Sequence, residues 1–255
     1  MIKLENKTAL VTGASRGIGR ATAAALAKAG AHVLVHYGRS RQEAESLVVE
    51  IRRKGGNADA ISADLGTPEG AALLAKQVRS IVGDRLNVLV LNAGISKSAR
   101  IEDHTVEDFD SLFATNVRGP FFLVQQLLPI LGEGSSIVAI SSAVARTVVG
   151  KPGVDNPSIL AYASTKAALE TLVRNWAAIL GPSGIRVNAV APGIIDTDMS
   201  NFTKTEVGRE VALGMQALKR IGKPEDVADV VAFMASDGAR WITGASIPVD
   251  GGSKL

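Results

Sequence analysis

Short runs rich in β-branched residues recur near 7–12, 32–37, 58–62, 87–92, 136–141, 186–191 and 246–250. Helical patterns separate them, over 18–29, 41–54, 68–82, 105–131, 161–180, 206–216 and 224–236. Strands spaced this widely cannot be hairpin partners; each needs a helical crossover to a parallel neighbour. Because such crossovers are right-handed, the helices fall on both faces of the sheet. The alternation therefore predicts an α/β protein: a doubly wound parallel sheet between two helical layers. No Pro/Gly/Ser-rich linker, repeat or low-complexity segment interrupts it, so 1–255 reads as a single domain.

Composition narrows the function classes. The chain has no cysteine, which removes disulfides, thiolate catalysis and cysteine-ligated metal and fits a reducing compartment such as the cytoplasm. Its N-terminus runs charged into the first strand without the look of a secretory signal. Apolar runs are far too short to span a bilayer. The net charge of +3 is spread without a block of like charges, so nucleic acid and membrane are not expected partners. No metal site is expected.

The first strand, Thr8-Ala9-Leu10-Val11, turns through Gly13, Ser15, Arg16, Gly17, Ile18 and Gly19 into an alanine-rich helix stopped by Gly30. Such a turn aims unpaired backbone N–H groups and a positive helix end at one point, which suits a phosphate. Glycine is needed where a Cβ would hold the anion off or forbid positive φ. The spacing is G-x-x-x-G-x-G rather than the G-x-G-x-x-G of the usual dinucleotide fingerprint.

The second strand ends in Tyr37-Gly38-Arg39-Ser40-Arg41, with no acidic residue for a ribose 2′-hydroxyl. Ser40 and Glu43 have the spacing of a capping box. Cations beside a helix N-terminus want an anion, and a 2′-phosphate supplies one. Arg16 and Arg39 are assigned to it, favouring NADP(H) over NAD(H); Arg41 reads as a solvated side chain. Thr67-Pro68 reads as the start of the next helix, which leaves Asp64, beside Leu65, for the adenine edge or for a strand-end turn. Asn92-Ala93-Gly94 is a tight turn at a carboxyl strand end, where open α/β sheets bind ligands. Asn116, ahead of Gly119-Pro120, marks a bend or break in 105–131; it either satisfies the local kink or frees backbone groups for a water.

Ser141 and Ser142 emerge from the fifth strand, and alternation lets only one face the crevice. Tyr162 and Lys166, four apart, share one helix face. A phenol titrates near ~10, and a neighbouring ammonium is expected to lower it toward the range useful for proton transfer. A serine hydroxyl completes the set by donating to a carbonyl oxygen that gains charge as hydride arrives.

Thr12-Gly-Ala-Ser-Arg-Gly-Ile-Gly19, Asp64, Asn92-Ala-Gly94, Asn116, Ser141-Ser142, Tyr162-x-x-x-Lys166, Asn188-Ala-Val-Ala-Pro-Gly193 with Thr197, and Val249-Asp-Gly-Gly252 occur in order. Over essentially its full length the chain resembles the short-chain dehydrogenases/reductases. The resemblance implies a Rossmann fold with a seven-stranded sheet and a nicotinamide cofactor across the strand ends. It implies Tyr162 as proton donor, Lys166 as the residue that lowers its pKa and holds the nicotinamide ribose, Ser142 as the carbonyl-orienting serine, and Asn116 as holder of a relay water. Pro192, Gly193, Ile195 and Thr197 would meet the nicotinamide end. A homotetramer is implied as well, pairing helices like 105–131 and 161–180.

The expected activity is NADP(H)-dependent reduction of a ketone or aldehyde, reversible toward the alcohol, on a small-molecule substrate. Met199, Phe202, Val207 and Met215 either give the substrate side an apolar lining or pack a lid helix on the core. A 3-oxoacyl-carrier-protein reductase, a glucose-type sugar dehydrogenase and a non-catalytic nucleotide sensor are the alternatives. Against carrier docking, the places where such reductases carry basic residues read Gly132-Glu133-Gly134 and Gly181-Pro182-Ser183. The segment between Ser142 and Tyr162 is long for the family and carries Gly150, Pro152, Gly153 and Pro157.

Overall fold

The computed structural model describes residues 2–148, 153 and 157–253, without the side chains of Asn201 and Phe202. Gly150 and Pro152, and the side chain of Phe202, thus lie outside the described residues. The strands are β1 (Thr8–Val11), β2 (His32–Tyr37), β3 (Asn57–Ser62), β4 (Val88–Leu91), β5 (Ser136–Ile140), β6 (Arg186–Pro192) and β7 (Ser246–Val249). They form one parallel sheet in the order β3-β2-β1-β4-β5-β6-β7. Strand order reverses between β1 and β4, which opens a crevice at their carboxyl ends. This is the doubly wound Rossmann architecture expected from the alternation.

Helices α1 (Gly17–Lys28), α2 (Arg41–Arg53) and α8 (Pro224–Ala235) cover one face. Helices α3 (Gly70–Val82), α5 (Gly119–Leu127) and α6 (Leu160–Leu180) cover the other. Alternation along each strand divides the core between the layers. Ala9, Val11, Val33 and Val90 meet Leu26, Leu47 and Val231 on the first face. Leu10, Leu34 and Leu89 meet Leu74, Leu123 and Leu169 on the second. Strands β4 and β5 are buried along their whole length, as the middle of a sheet between two layers requires, while the edge strands β3 and β7 are only partly covered.

The run 105–131 is not one helix. Helix α4 (Val106–Phe113) passes through a π-helical turn, Ala114–Arg118, before α5. Asn116 lies in the middle of that turn, and Pro120 sits just inside α5, where its missing N–H costs little. The remaining helix, α7 (Glu206–Gly214), is capped by Thr205, whose hydroxyl accepts from Gly208 N.

Two local expectations fail. Ser40 is the N-cap of α2, but its hydroxyl makes no capping hydrogen bond, so the Ser40–Glu43 capping box does not form. Thr67 does not start a helix either: its hydroxyl donates to Asp64 O at 2.9 Å, and α3 begins at Gly70. Both segments are shaped by the crevice they border rather than by the helix that follows.

Candidate active site

The glycine loop is held from three sides. Gly13 and Gly17 take positive φ, 62° and 54°. Gly13 N donates to His36 Nδ1 at 3.0 Å, and Ala14 N donates to His36 O at 2.8 Å. With Nδ1 accepting, the imidazole proton sits on Nε2, which faces Ala63 O at 3.0 Å. His36 is buried and neutral: burial pushes its pKa down to about 4, partly offset by the Ala63 hydrogen bond and the charge of Asp64.

From the β4 side, Asn92 Nδ2 donates to Thr12 O (2.8 Å) and Gly13 O (2.9 Å). The Thr12 hydroxyl accepts from Asn92 N and Ala93 N and donates to Val90 O. Asn92 is therefore a clasp between the β1 and β4 ends. A methyl group on Gly19 would overlap Gly13 O and the Asn92 amide, which explains a glycine in the first turn of α1.

A cavity of about 1020 Å³ opens over this loop. It is lined by Gly13, Ser15, Arg16, Gly17, Ile18, Gly19, Arg39, Ser40, Asp64, Leu65, Asn92, Ala93, Gly94 and Thr197 from the sequence assignments. His36, Gly66, Thr115 and Met199, among others, join them. Glycines that leave room for an anion, backbone N–H groups at the start of α1 and a cleft of this size fit a dinucleotide phosphate.

Arg39 is 94% exposed, with Asp64 Oδ2 3.9 Å away; Arg16 lies 3.6 Å from Asp198 Oδ2. Both cations thus stand at the rim, held only by exposed carboxylates of the same cavity. Arg41 is spent on Glu45, one turn along α2. Asp64 Oδ1 accepts from Gly66 N at 2.9 Å, so it makes the strand-end turn while lining the cavity.

Besides Asn116, Ser142, Tyr162 and Lys166, four assigned residues are not among the cavity lining. Tyr37 and Ile195 pack against the first-face core. Tyr37 shares the parity of Val33 and Val35, so the crevice side of this strand end goes to His36, which residue-type reasoning passed over. Pro192 ends β6, and Gly193 continues toward β7, its N donating to Val249 O at 3.1 Å. A Cβ on Gly193 would meet Asp250 at 2.7 Å, so that glycine serves close packing.

At the other end of the crevice three helix residues meet three consecutive strand-end residues. Lys166 Nζ donates to Ile140 O at 2.7 Å. Ser141 Oγ donates to Glu170 Oε1 at 3.0 Å and is turned away from the crevice. Ser142 is hydrogen-bonded to the Tyr162 hydroxyl. The serine that faces the tyrosine is thus the second of the pair.

Burial pushes Tyr162 up to about 12, against the Ser142 hydrogen bond that works downward. Burial also pushes Lys166 down to about 8. The expectation that Lys166 holds the phenol below its ordinary value is not met here. Its Nζ lies 5.5 Å from the ring centroid and is directed to Ile140 O, and desolvation of the phenolate outweighs it.

Asn116 is buried, and its side chain is fully used. Oδ1 accepts from Ile95 N (2.9 Å), while Nδ2 donates to Ile95 O (2.9 Å) and Thr165 Oγ1 (3.0 Å). What the π turn leaves for a water is main chain, not the amide. Gly94 lies between: a Cβ there would come to 3.2 Å from Asn116 Oδ1 and 3.7 Å from Lys166 Nζ.

A sequence model of the family described as Enoyl-(Acyl carrier protein) reductase matches residues 13–254. Versicolorin reductase 1 of Aspergillus parasiticus is 42% identical over 264 residues, covering 98% of this chain and 97% of that protein. The crystal structure of a short chain dehydrogenase from Burkholderia cenocepacia in complex with NADP superposes with a TM-score of 0.92 at 37% identity. It covers 99% of this chain and 100% of that one. The chain belongs to the short-chain dehydrogenase/reductase family. A further member, the 3-oxoacyl-[acyl-carrier-protein] reductase FabG of Staphylococcus aureus, is 40% identical over 248 residues, 96% of this chain and 97% of that protein. In this dehydrogenase/reductase Gly94 lines the cavity over the glycine loop, and a Cβ on it would also meet Lys166 Nζ at 3.7 Å, which sets Lys166 next to that cavity.

Proposed function

We propose that this short-chain dehydrogenase/reductase is an NADPH-dependent carbonyl reductase that converts a ketone or aldehyde to the alcohol, and reversibly oxidises it. The observation that carries the reading is the placing of Lys166 between the end of β5 and the Tyr162 ring, next to Gly94 of a crevice whose size fits a dinucleotide. A bound reduced nicotinamide supplies hydride to the carbonyl carbon. The N–H groups of the glycine loop would hold the pyrophosphate, Arg16, Arg39 and Ser40 the 2′-phosphate, and Asp64 and Leu65 the adenine. Asn92, Ala93 and Gly94 would border the ribose, with Lys166 beside Gly94 to donate to it. Thr197 sits on the nicotinamide side.

Ser142 donates to the substrate oxygen and holds it beside Tyr162. Tyr162 gives that oxygen its proton. A phenol at about 12 is protonated at neutral pH, and an alkoxide is a far stronger base than a phenolate, so the transfer runs downhill. The π turn at Asn116 offers main-chain carbonyl to a water that re-supplies the proton. Preference for NADPH over NADH rests on the two rim arginines.

The same reading makes the protein a cytoplasmic homotetramer. Exposed apolar residues on α5 and α6, such as Phe121, Leu128 just beyond α5, and Ile179, support the association. Among the described residues no helix is long and apolar enough to cross a membrane.

The FabG relative keeps acyl-carrier substrates in view. Against it, the two turns in question pair with each other, Gly134 N donating to Gly184 O at 2.9 Å, at the amino ends of β5 and β6. That is the end of the sheet away from Ser142, and the cation that reaches this turn, Arg85, donates to Glu133 O. A spectrophotometric screen of ketones, 3-oxoacyl thioesters and sugars with both cofactors tests the reading. Tyr162→Phe is expected to bind NADPH as the parent does and to lose turnover. A variant that keeps near-parental rates would refute Tyr162 as the acid.

A further inference from the structure

Glu170 stands outside every motif above, yet it occupies the third position of the stripe Tyr162, Lys166, Glu170 along α6. Its carboxylate is buried, the residue being 4% exposed, and holds three donors. Oε1 accepts from Ser141 Oγ (3.0 Å) and from Ser246 Oγ at the start of β7 (2.7 Å); Oε2 accepts from Arg146 Nε (2.8 Å). Ser141 is the residue directly before the substrate-facing serine. Arg146 follows the short turn Ala143–Ala145, which Ser142 caps.

We propose that Glu170 is a positioning residue for the carbonyl reduction. By holding the Ser141 hydroxyl it fixes the rotation of the β5 end, so that Ser142 faces Tyr162. By holding Arg146 it roots the chain that leaves Ser142. The proposal rests on the function assigned above.

The physical argument is one of register. Successive residues of an extended strand point to opposite sides, so fixing one side chain fixes its neighbour. The stretch Ile140–Ser142 is engaged residue by residue: Lys166 on the carbonyl of Ile140, Glu170 on Ser141, Tyr162 on Ser142. Beyond Ile140 the strand ladder has ended, apart from Ser141 N donating to Val190 O at 2.8 Å. Side chains must therefore hold what the sheet no longer does. A buried carboxylate is costly unless paired and hydrogen-bonded, and here two hydroxyls and a guanidinium meet that requirement. A leucine or alanine at this helix position would pack against the sheet more simply.

Steady-state kinetics on Glu170→Ala, Glu170→Gln and Ser141→Ala, with Tyr162→Phe alongside, tests this. Removing one oriented donor to a developing oxyanion costs about 100- to 1,000-fold in kcat; a donor present but loosened is expected to cost about 10- to 100-fold. Glu170→Ala should show that loss in kcat, with NADPH Kd within about twofold of the parent. The tyrosine limb of its pH profile should move to higher pH as the Ser142 hydrogen bond is lost. Glu170→Gln keeps an acceptor for the serines but turns an amide N–H₂ toward Arg146. It should recover most of kcat and raise KM for the carbonyl substrate.

If Glu170→Ala does not fold, Ser141→Ala, which leaves the Glu170–Arg146 pair intact, should still move the pH limb. A Glu170→Ala or Ser141→Ala enzyme with parental kcat and parental pH profile overturns the proposal. So does a uniform loss of active protein with both unchanged in the surviving fraction. If Tyr162→Phe is as active as the parent, it is the assigned reaction that has failed, and Glu170 with it.

Discussion

The imidazole of His36 links proton binding to the shape of the glycine loop. Its neutral form is required, because Nδ1 must accept from Gly13 N while Nε2 donates to Ala63 O. The folded chain holds its pKa at about 4, whereas an unfolded chain has the ordinary 6.5. The unfolded state therefore takes the proton first. Stability from this residue is complete above the unfolded value and drains away as pH falls toward the folded one. Between pH 7 and pH 5, where most carboxylates are still ionised, those two values give a loss of about 2 kcal/mol. His36→Gln removes the titration and retains a side-chain acceptor. Urea unfolding of both proteins at the two pH values is the assay. The parent should lose about 2 kcal/mol more than the variant, since the other ionisable groups are common to both proteins. NADPH affinity should show the same pH dependence in parent and variant over this window, because the folded imidazole stays neutral down to pH 5 and Gly13 N keeps its acceptor. Parallel pH dependences of the unfolding free energy would refute the reasoning, because they would mean the imidazole is free to protonate where it stands.

Arg39→Glu should weaken NADPH by about 10- to 100-fold, the worth of one charge-assisted contact, and NADH by little; equal losses with both cofactors, measured by fluorescence titration, would remove Arg39 from the 2′-phosphate. Gly19→Ala places a methyl group on Gly13 O and the Asn92 amide, neither of which has room to yield. It should cost about 1–3 kcal/mol in thermal or urea unfolding and abolish cofactor binding, and an alanine variant with parental NADPH affinity would contradict the clasp. With Tyr162 at about 12, the phenol is intact across pH 6 to 7.5 and ketone reduction should be flat there. Alcohol oxidation needs the phenolate and should rise about tenfold per unit from pH 7 toward 9; an oxidation rate independent of pH would place the base elsewhere.

Why the fold was readable and parts of the site were not comes down to periodicity. Each strand run lies within a residue or two of its observed bounds, because strands covered on both faces are rich in apolar, β-branched residues and their ends show as composition changes. Helix starts were less legible wherever the loop ahead of them borders the crevice. Ser40 has the spacing of a cap, but its hydroxyl caps nothing. Thr67 and Pro68 look like a first turn, but Asp64 O takes the threonine hydroxyl and α3 waits for Gly70. At Asn116 the expectation of a break was sound, and its form, one added residue in a π turn, depends on Ile95 and Thr165, which sequence distance hides.

In the active site, spacing told which groups meet, and burial then decided how they behave. Tyr162 and Lys166 are one turn apart, as four residues demand, and Ser142 rather than Ser141 faces the tyrosine. The direction of the tyrosine shift was beyond reach, because it depends on how much water the surrounding layers exclude. Desolvation acts on both groups in favour of their neutral forms, moving Tyr162 up and Lys166 down. A lysine near 8 keeps most of its charge at neutral pH, so it can still orient what binds beside Gly94 while leaving the phenol protonated. For reduction that division of labour is the useful one: the acid is fully loaded, and the charge that binds is separate from the proton that moves. The same desolvation hides His36 from sequence reasoning, since a histidine in a strand of valines carries no mark of whether its nitrogens are satisfied. Its role follows only from the partners that the β1–β2–β3 order brings to each side of the ring.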